Sequence, residues 1–162
     1  MHEYGIRAAG AVLLLASAAG LGVTSIRAER RRRRELDALL SLVRHIRENI
    51  EHFSRPLGEI YVSYDDPLLA ASGFLTRLRQ AGMGTAVRES ELGIGEEERA
   101  VLLSFAASPG RGYREEQIAL CRYTEEKLTG IAENLARSAP DRERLWRTLP
   151  VLGALSLILL SL

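Results

Sequence analysis

The side chains able to act as ligands, bases or nucleophiles are few and widely spaced. The three histidines are His2, His45 and His52. His45 and His52 lie seven residues apart on one predicted helix, so they share a face. They are nevertheless roughly 10 Å apart along its axis, too far for one helix to offer both to a single metal ion. A solvated helix face accounts for them. The one cysteine, Cys121, rules out an intramolecular disulfide, which fits a reducing compartment. It falls in an apolar helical stripe and reads as a packed core thiol rather than a nucleophile. The acidic groups Glu96-Glu97-Glu98 and Glu115-Glu116 sit at predicted helix starts, where carboxylates complement the exposed backbone amides. Gly82-Met83-Gly84-Thr85 and Gly110-Arg111-Gly112 lack the Gly-Lys-Ser/Thr ending of a phosphate-binding loop. Nothing pairs a nucleophile with a base at recognisable spacing. The sequence therefore predicts no catalytic, metal or cofactor-binding residues, no cofactor and no small-molecule substrate. It does not read as an enzyme.

The organising stretch is instead Ala8 to Arg34. Ala8–Ile26 is free of charge, and Arg27, Arg30, Arg31, Arg32, Arg33 and Arg34 follow at once, offset only by Glu29. Nineteen helical residues span roughly 28 Å, close to a bilayer's hydrocarbon thickness. The Ala/Gly/Leu-rich composition suits close helix contact in a membrane. Six arginines are costly to translocate, which places that flank in the cytoplasm and the N-terminus outside. The competing reading is a cleaved signal peptide, with Ala16-Ser17-Ala18 as its site. A weakly basic leader containing Glu3, and the arginine block behind it, weigh against export. Nucleic-acid binding is the other reading of the arginines. Directly after an apolar span, topology and anionic headgroups explain them better.

The formal net charge of the 162 residues is +1, but it is unevenly distributed. Glu35–Ala139 carries 12 Lys/Arg against 17 Asp/Glu, whereas Arg27–Arg34 is strongly basic. More arginine, Arg142, Arg144 and Arg147, precedes the uncharged tail Thr148–Leu162. A chain that is basic beside two apolar ends and acidic between them suits a cytoplasmic domain held against an anionic membrane. An acidic body argues against nucleic acid as a partner.

Between the ends the apolar pattern is helical. Leu36, Leu39, Val43, Ile46, Ile50, Phe53, Leu57 and Ile60 step by three and four, a heptad-like seam. Pro56 interrupts it. The spacing predicts a helix from about Arg34 to Phe53, a break at Ser54-Arg55-Pro56, and a short helix capped by Ser54 with Pro56 in its first turn. A single helix kinked at Pro56 is the alternative. Asp66 and Pro67 have the chemistry of an N-cap and a first helical residue. The helix they start carries Leu68, Leu69, Phe74, Leu75 and Leu78 and ends at Gly82-Met83-Gly84. Thr85–Leu92 reads as a weak helix broken by Gly93-Ile94-Gly95. A helix opening at Glu96 buries Val101, Leu102 and Phe105 and ends at Ser108-Pro109-Gly110. From Tyr113 a long helix carries Gln117, Cys121, Thr124, Leu128, Ile131 and Leu135 on one face. Pro140 is expected to kink or end it.

Trp146 and Arg147 resemble a membrane-interface anchor. The tail beyond them, about 22 Å as a helix, is short for a span unless the bilayer thins or Trp146 is included. No stretch reads as a strand with a partner. The expected fold is all-α, a cytoplasmic helical bundle flanked by N- and C-terminal transmembrane helices. Its parts are a span over 6–27, a bundle over 28–147 and a membrane helix over 148–162. The heptad seams serve either one bundle's core or contact between molecules.

These parts, in this order, resemble the stage III sporulation protein AB family. The resemblance rests on the N-terminal span with Arg27–Arg34, then Leu36 through Ile46 and Ile50, with Pro56-Leu57 closing the first helix. It continues in Leu102-Leu103-Ser104-Phe105, Gly110 and Gln117, and ends in Leu145-Trp146-Arg147 through Gly153 to Leu160. The chain departs from the family pattern at Pro109, Pro140 and Pro150, all of which bear on the last helix. The resemblance implies a non-enzymatic membrane component of the sporulation channel between mother cell and forespore, on the mother-cell side of the outer forespore membrane. Its soluble part would be similar to cytoplasmic domains of platform proteins in type II secretion and type IV pilus systems. The implied partners are membrane lipids, the cytoplasmic secretion-type ATPase (stage III sporulation protein AA) and other channel components. A generic platform protein of a secretion or pilus apparatus, unrelated to sporulation, is the rival.

Overall fold

The computed structural model describes residues 2–53, 55–107 and 113–161, and side chains over 27–53, 55–107 and 113–137. Among these the fold is all-α, with seven helices. They are α1 (His2–Phe53), α2 (Leu57–Ser63), α3 (Pro67–Ala71), α4 (Phe74–Ala81), α5 (Met83–Glu89), α6 (Glu96–Ala107) and α7 (Arg114–Ser161). The chain divides into two compact units, residues 1–30 with 136–162, and residues 31–135. In the first, the backbone is helical and belongs to the start of α1 and the end of α7. The side chains of the two expected spans lie outside the described residues. Among the described residues no helix is long and apolar enough to cross a membrane. Helix α7 runs past Pro140 to Ser161, so the proline does not end it. A proline removes one backbone hydrogen bond from a helix, and the turns on either side keep theirs.

The second unit holds the core. Leu36, Leu39, Leu42, Val43 and Ile46 of α1 are almost wholly buried. Against them pack Ile60, Leu69, Phe74, Leu75, Leu78, Leu102, Phe105, Cys121 and Leu128. Leu42 beside Val43 makes the buried stripe of α1 wider than a strict seam, as a helix packed on more than one side requires. Phe53, placed in the seam by its spacing, is instead 63 % exposed. It is the last residue of α1, where periodicity no longer guarantees a neighbour.

The connections follow local chemistry, with some corrections. At Asp66 the carboxylate accepts from the amides of Leu68 (2.9 Å) and Leu69 (3.0 Å), and Pro67 opens α3. Pro56 is the N-cap of α2 rather than a first-turn residue. Its extended backbone leaves its carbonyl to accept from Glu59 and Ile60, and Ser54 lies outside the described residues. The single helix expected from Pro67 to Gly82 is two. Gly73, at φ +72°, turns the chain between α3 and α4, a backbone conformation glycine adopts without steric cost. Gly82, at φ +82° and ψ 176°, closes α4 and opens α5. Helix α5 therefore takes in Met83 and Gly84 and stops at Glu89, before the expected Leu92.

Candidate functional site

Three consecutive arginines at the start of the second unit are engaged by the bundle. Arg31 donates to Glu35 Oε1 at 2.6 Å and to the carbonyl of Glu91 at 2.8 Å. Glu35 is 3 % exposed, and its second oxygen accepts from the amide of Gly93. The Glu35 carboxylate raises the already high pKa of the Arg31 guanidinium. Arg32 pairs with Glu98 at 2.6 Å. Glu98 is fully buried, and its Oε2 accepts no hydrogen bond from the described residues. A Cβ on Gly95 would collide with both the Arg32 guanidinium and Glu98 Oε2. Arg33 donates to the carbonyl of Leu135 on α7. Arg31 and Arg32 thus clasp the 90–95 loop and the first turn of α6 onto α1, and Arg33 ties α1 to α7. Arg27, Arg30 and Arg34 are exposed.

Glu98 was predictable as a first-turn carboxylate and is one. That local role does not account for it, because it is also the buried partner of Arg32, 66 residues away. His45 also departs from the solvated reading. It is half-buried, lies 3.1 Å from Ser63 Oγ, and its ring centroid is 5.2 Å from that of Tyr64. Tyr64 in turn donates to the carbonyl of Ala38 at 3.0 Å. His45 thus belongs to the α1–α2 contact, while His52 is exposed. Among the described residues no group of His, Cys, Asp and Glu could hold a metal ion.

Cys121 is 1 % exposed. Burial, with Glu125 nearby, pushes its thiol up to about 11, the opposite of an activated nucleophile. It borders a very small apolar cavity together with Gln117, Leu120 and Phe105. Of the other residues singled out by resemblance, Pro56 caps α2 and Gln117 is half-buried at this cavity. Gly110, Gly153, Trp146 and Arg147 lie outside the described residues or their side chains.

A second charged arrangement joins α1 to α7. Arg47 donates to Glu125 Oε1 at 2.7 Å and to Glu51 Oε2 at 2.9 Å. Arg122 reaches Glu51 Oε1 at 3.3 Å. Hydrogen bonding and charge from Glu125, and then from Glu51, raise the Arg47 guanidinium further, so it stays charged. A groove of about 740 Å³, open to solvent, lies here and includes Thr129 and Gly130.

The unit is a small all-α domain whose charged side chains hold helices and loops together. The chain matches the family described as stage III sporulation protein AB over residues 7–162, and it belongs to that family. Membership implies a role in sporulation, in a family generally of non-catalytic channel components. Neither the curated proteins nor the solved structures compared with the chain gave a match.

Proposed function

We propose that the protein is a non-enzymatic, membrane-anchored scaffold of the sporulation channel complex, docking a cytoplasmic secretion-type ATPase, the stage III sporulation protein AA. The observation that carries this is the family match over residues 7–162, which takes in both apolar ends as well as the bundle. In this reading Ala8–Ile26 and Thr148–Leu162 anchor the chain in the membrane facing the mother-cell cytoplasm. Arg27, Arg30 and Arg34, exposed beside the first anchor, meet anionic headgroups, each worth about 1 kcal/mol near the surface. Trp146 and Arg147 anchor the other end. The acidic bundle presents carboxylates to a basic surface of the motor, and complementary charge speeds and orients such docking. Family membership favours this reading over a secretion platform unrelated to sporulation.

Topology tests it. A location reporter inserted within Gly82–Thr85 is expected to read cytoplasmic, and one after Leu162 external. An external reading for the first would place the bundle where no cytoplasmic ATPase can reach it.

A further inference from the structure

Helix α2 buries Ile60 and Tyr61 against the core and leaves Val62 66 % exposed. A helix of this length is too short to be stable alone, and valine is a poor helix former. An exposed valine therefore serves neither the helix nor the core. Gly58 lies one turn earlier on the same face. It is exposed, and an added Cβ there would meet nothing within 4 Å. Glu59, beside it, is also exposed. The charge around this face has one sign. Residues 56–76 hold Glu59, Asp65 and Asp66 and neither lysine nor arginine. Among the described residues only Arg79 comes within ion-pair reach of these carboxylates, 3.9 Å from an Asp65 side chain that is 86 % exposed. Its guanidinium already donates to the carbonyl of Tyr64 at 2.8 Å. Arg55, just before α2, lies over the Phe53 ring, 5.2 Å from its centroid. Single exposed apolar residues are ordinary on a protein surface. What sets Val62 apart is the open space at Gly58 and the uniformly negative charge beside it.

We propose that the outer face of α2 is the docking surface for a basic segment of a protein partner. An apolar side chain of that segment would cover Val62, its backbone would pass over Gly58, and its lysines or arginines would meet Glu59 and Asp65. An anionic lipid surface, or the same face of a second copy, would set negative charge against negative charge, so neither fits. The proposal rests on the reading that the bundle docks the ATPase, and it names the face that does so.

The test measures ATPase binding to the full-length protein in nanodiscs of neutral phospholipid, at low and high salt. The α2 variants are Glu59→Lys and Val62→Gln. The second puts a better helix former at an exposed position, so the fold is retained; unchanged circular dichroism checks this. Glu126→Lys, on α7, makes the same charge change elsewhere. Salt-sensitive binding is expected for the unaltered protein, weakened at least about tenfold by each α2 variant and unchanged by Glu126→Lys, a difference of about 1.4 kcal/mol. If the unaltered protein binds and the α2 variants bind as tightly, the face is wrong and docking stands. Equal loss in Glu59→Lys and Glu126→Lys would assign the effect to overall charge and overturn the face. A change in the oligomeric state of the protein alone on Val62→Gln would give the face to a second copy and overturn the proposal. No binding by the unaltered protein at any salt would remove the docking reading, and the α2 face with it.

Discussion

Arg114, the first residue of α7, donates from Nε to the carbonyl of Ile50 at 3.0 Å and from Nη2 to that of Glu51. These carbonyls belong to the last turn of α1, where backbone acceptors have no partner within the helix. One guanidinium therefore caps α1 from 63 and 64 residues away and ties its end to the start of α7. Elsewhere Arg79 donates to the carbonyl of Tyr64 at 2.8 Å, Arg99 to that of Val87 and Arg33 to that of Leu135. Guanidinium-to-carbonyl bonds thus tie α1 to α7, α6 to α5, and α4 to the end of α2.

Arg114→Ala is expected to lower stability by about 1.5–3 kcal/mol, the range for hydrogen bonds from a charged donor. Arg114→Lys should recover only part, because an ammonium lacks the fork that reaches two carbonyls together. Urea unfolding of the full chain in detergent micelles measures both.

The Arg32–Glu98 pair should be the most sensitive contact of the clasp. Removing one member of a buried pair costs about 3–5 kcal/mol. Arg32 keeps about a third of its side chain in water, so Glu98→Ala should cost about 2 kcal/mol, and Glu98→Gln less. Amide hydrogen exchange in 90–99 should quicken in both. Unchanged exchange there would mean that the pair does not hold the loop.

Two glycines separate backbone conformation from available space. A Cβ on Gly73 would lie 2.5 Å from the Arg77 guanidinium, the far end of a long side chain, and one on Gly82 would meet nothing within 4 Å. On space alone Gly82→Ala would be harmless. The backbone of Gly82, φ +82° and ψ 176°, is nearly glycine-only, at about 1–3 kcal/mol for other residues. Gly73 sits in the milder left-handed region. Gly82→Ala should therefore lower the thermal midpoint more than Gly73→Ala.

Alkaline pH should loosen the fold through its buried acids. The Cys121 thiol ionises near 9 when exposed and near 11 when buried. Its contribution is full below pH 9 and lost as pH rises to about 11, because over that window the unfolded chain gives up the proton first. Burial raises Tyr61 and Tyr64 as well, acting in the same direction at higher pH. Stability should fall from about pH 9 upward. A thiol reagent at neutral pH should modify Cys121 only at the rate of unfolding.

The long apolar runs were legible because burial repeats at helical spacing. Leu36, Leu39, Val43, Ile46 and Ile50 are core residues, as are Cys121, Leu128 and Ile131. Asp66-Pro67 was legible because a cap is settled by neighbours in sequence. Gly73 was missed because one glycine in a helical pattern costs only about 1 kcal/mol and does not by itself signal a break. The clasp was not legible for a different reason. Arginines after an apolar stretch are explained by topology and glutamates at a helix start by the backbone amides, so nothing local marks Arg32 and Glu98 as partners. Arg114 and Arg47 are of the same kind, since their acceptors lie far along the chain.

Lys127, resting over Tyr123, is the only lysine in the sequence. An amine-directed reagent therefore has one side-chain address, on α7 beside the groove, apart from the chain's own N-terminus. A short bifunctional cross-linker attached there would tether whatever approaches that face. Its distance restraint could be assigned to one residue, with no lysine elsewhere in the bundle to confuse it.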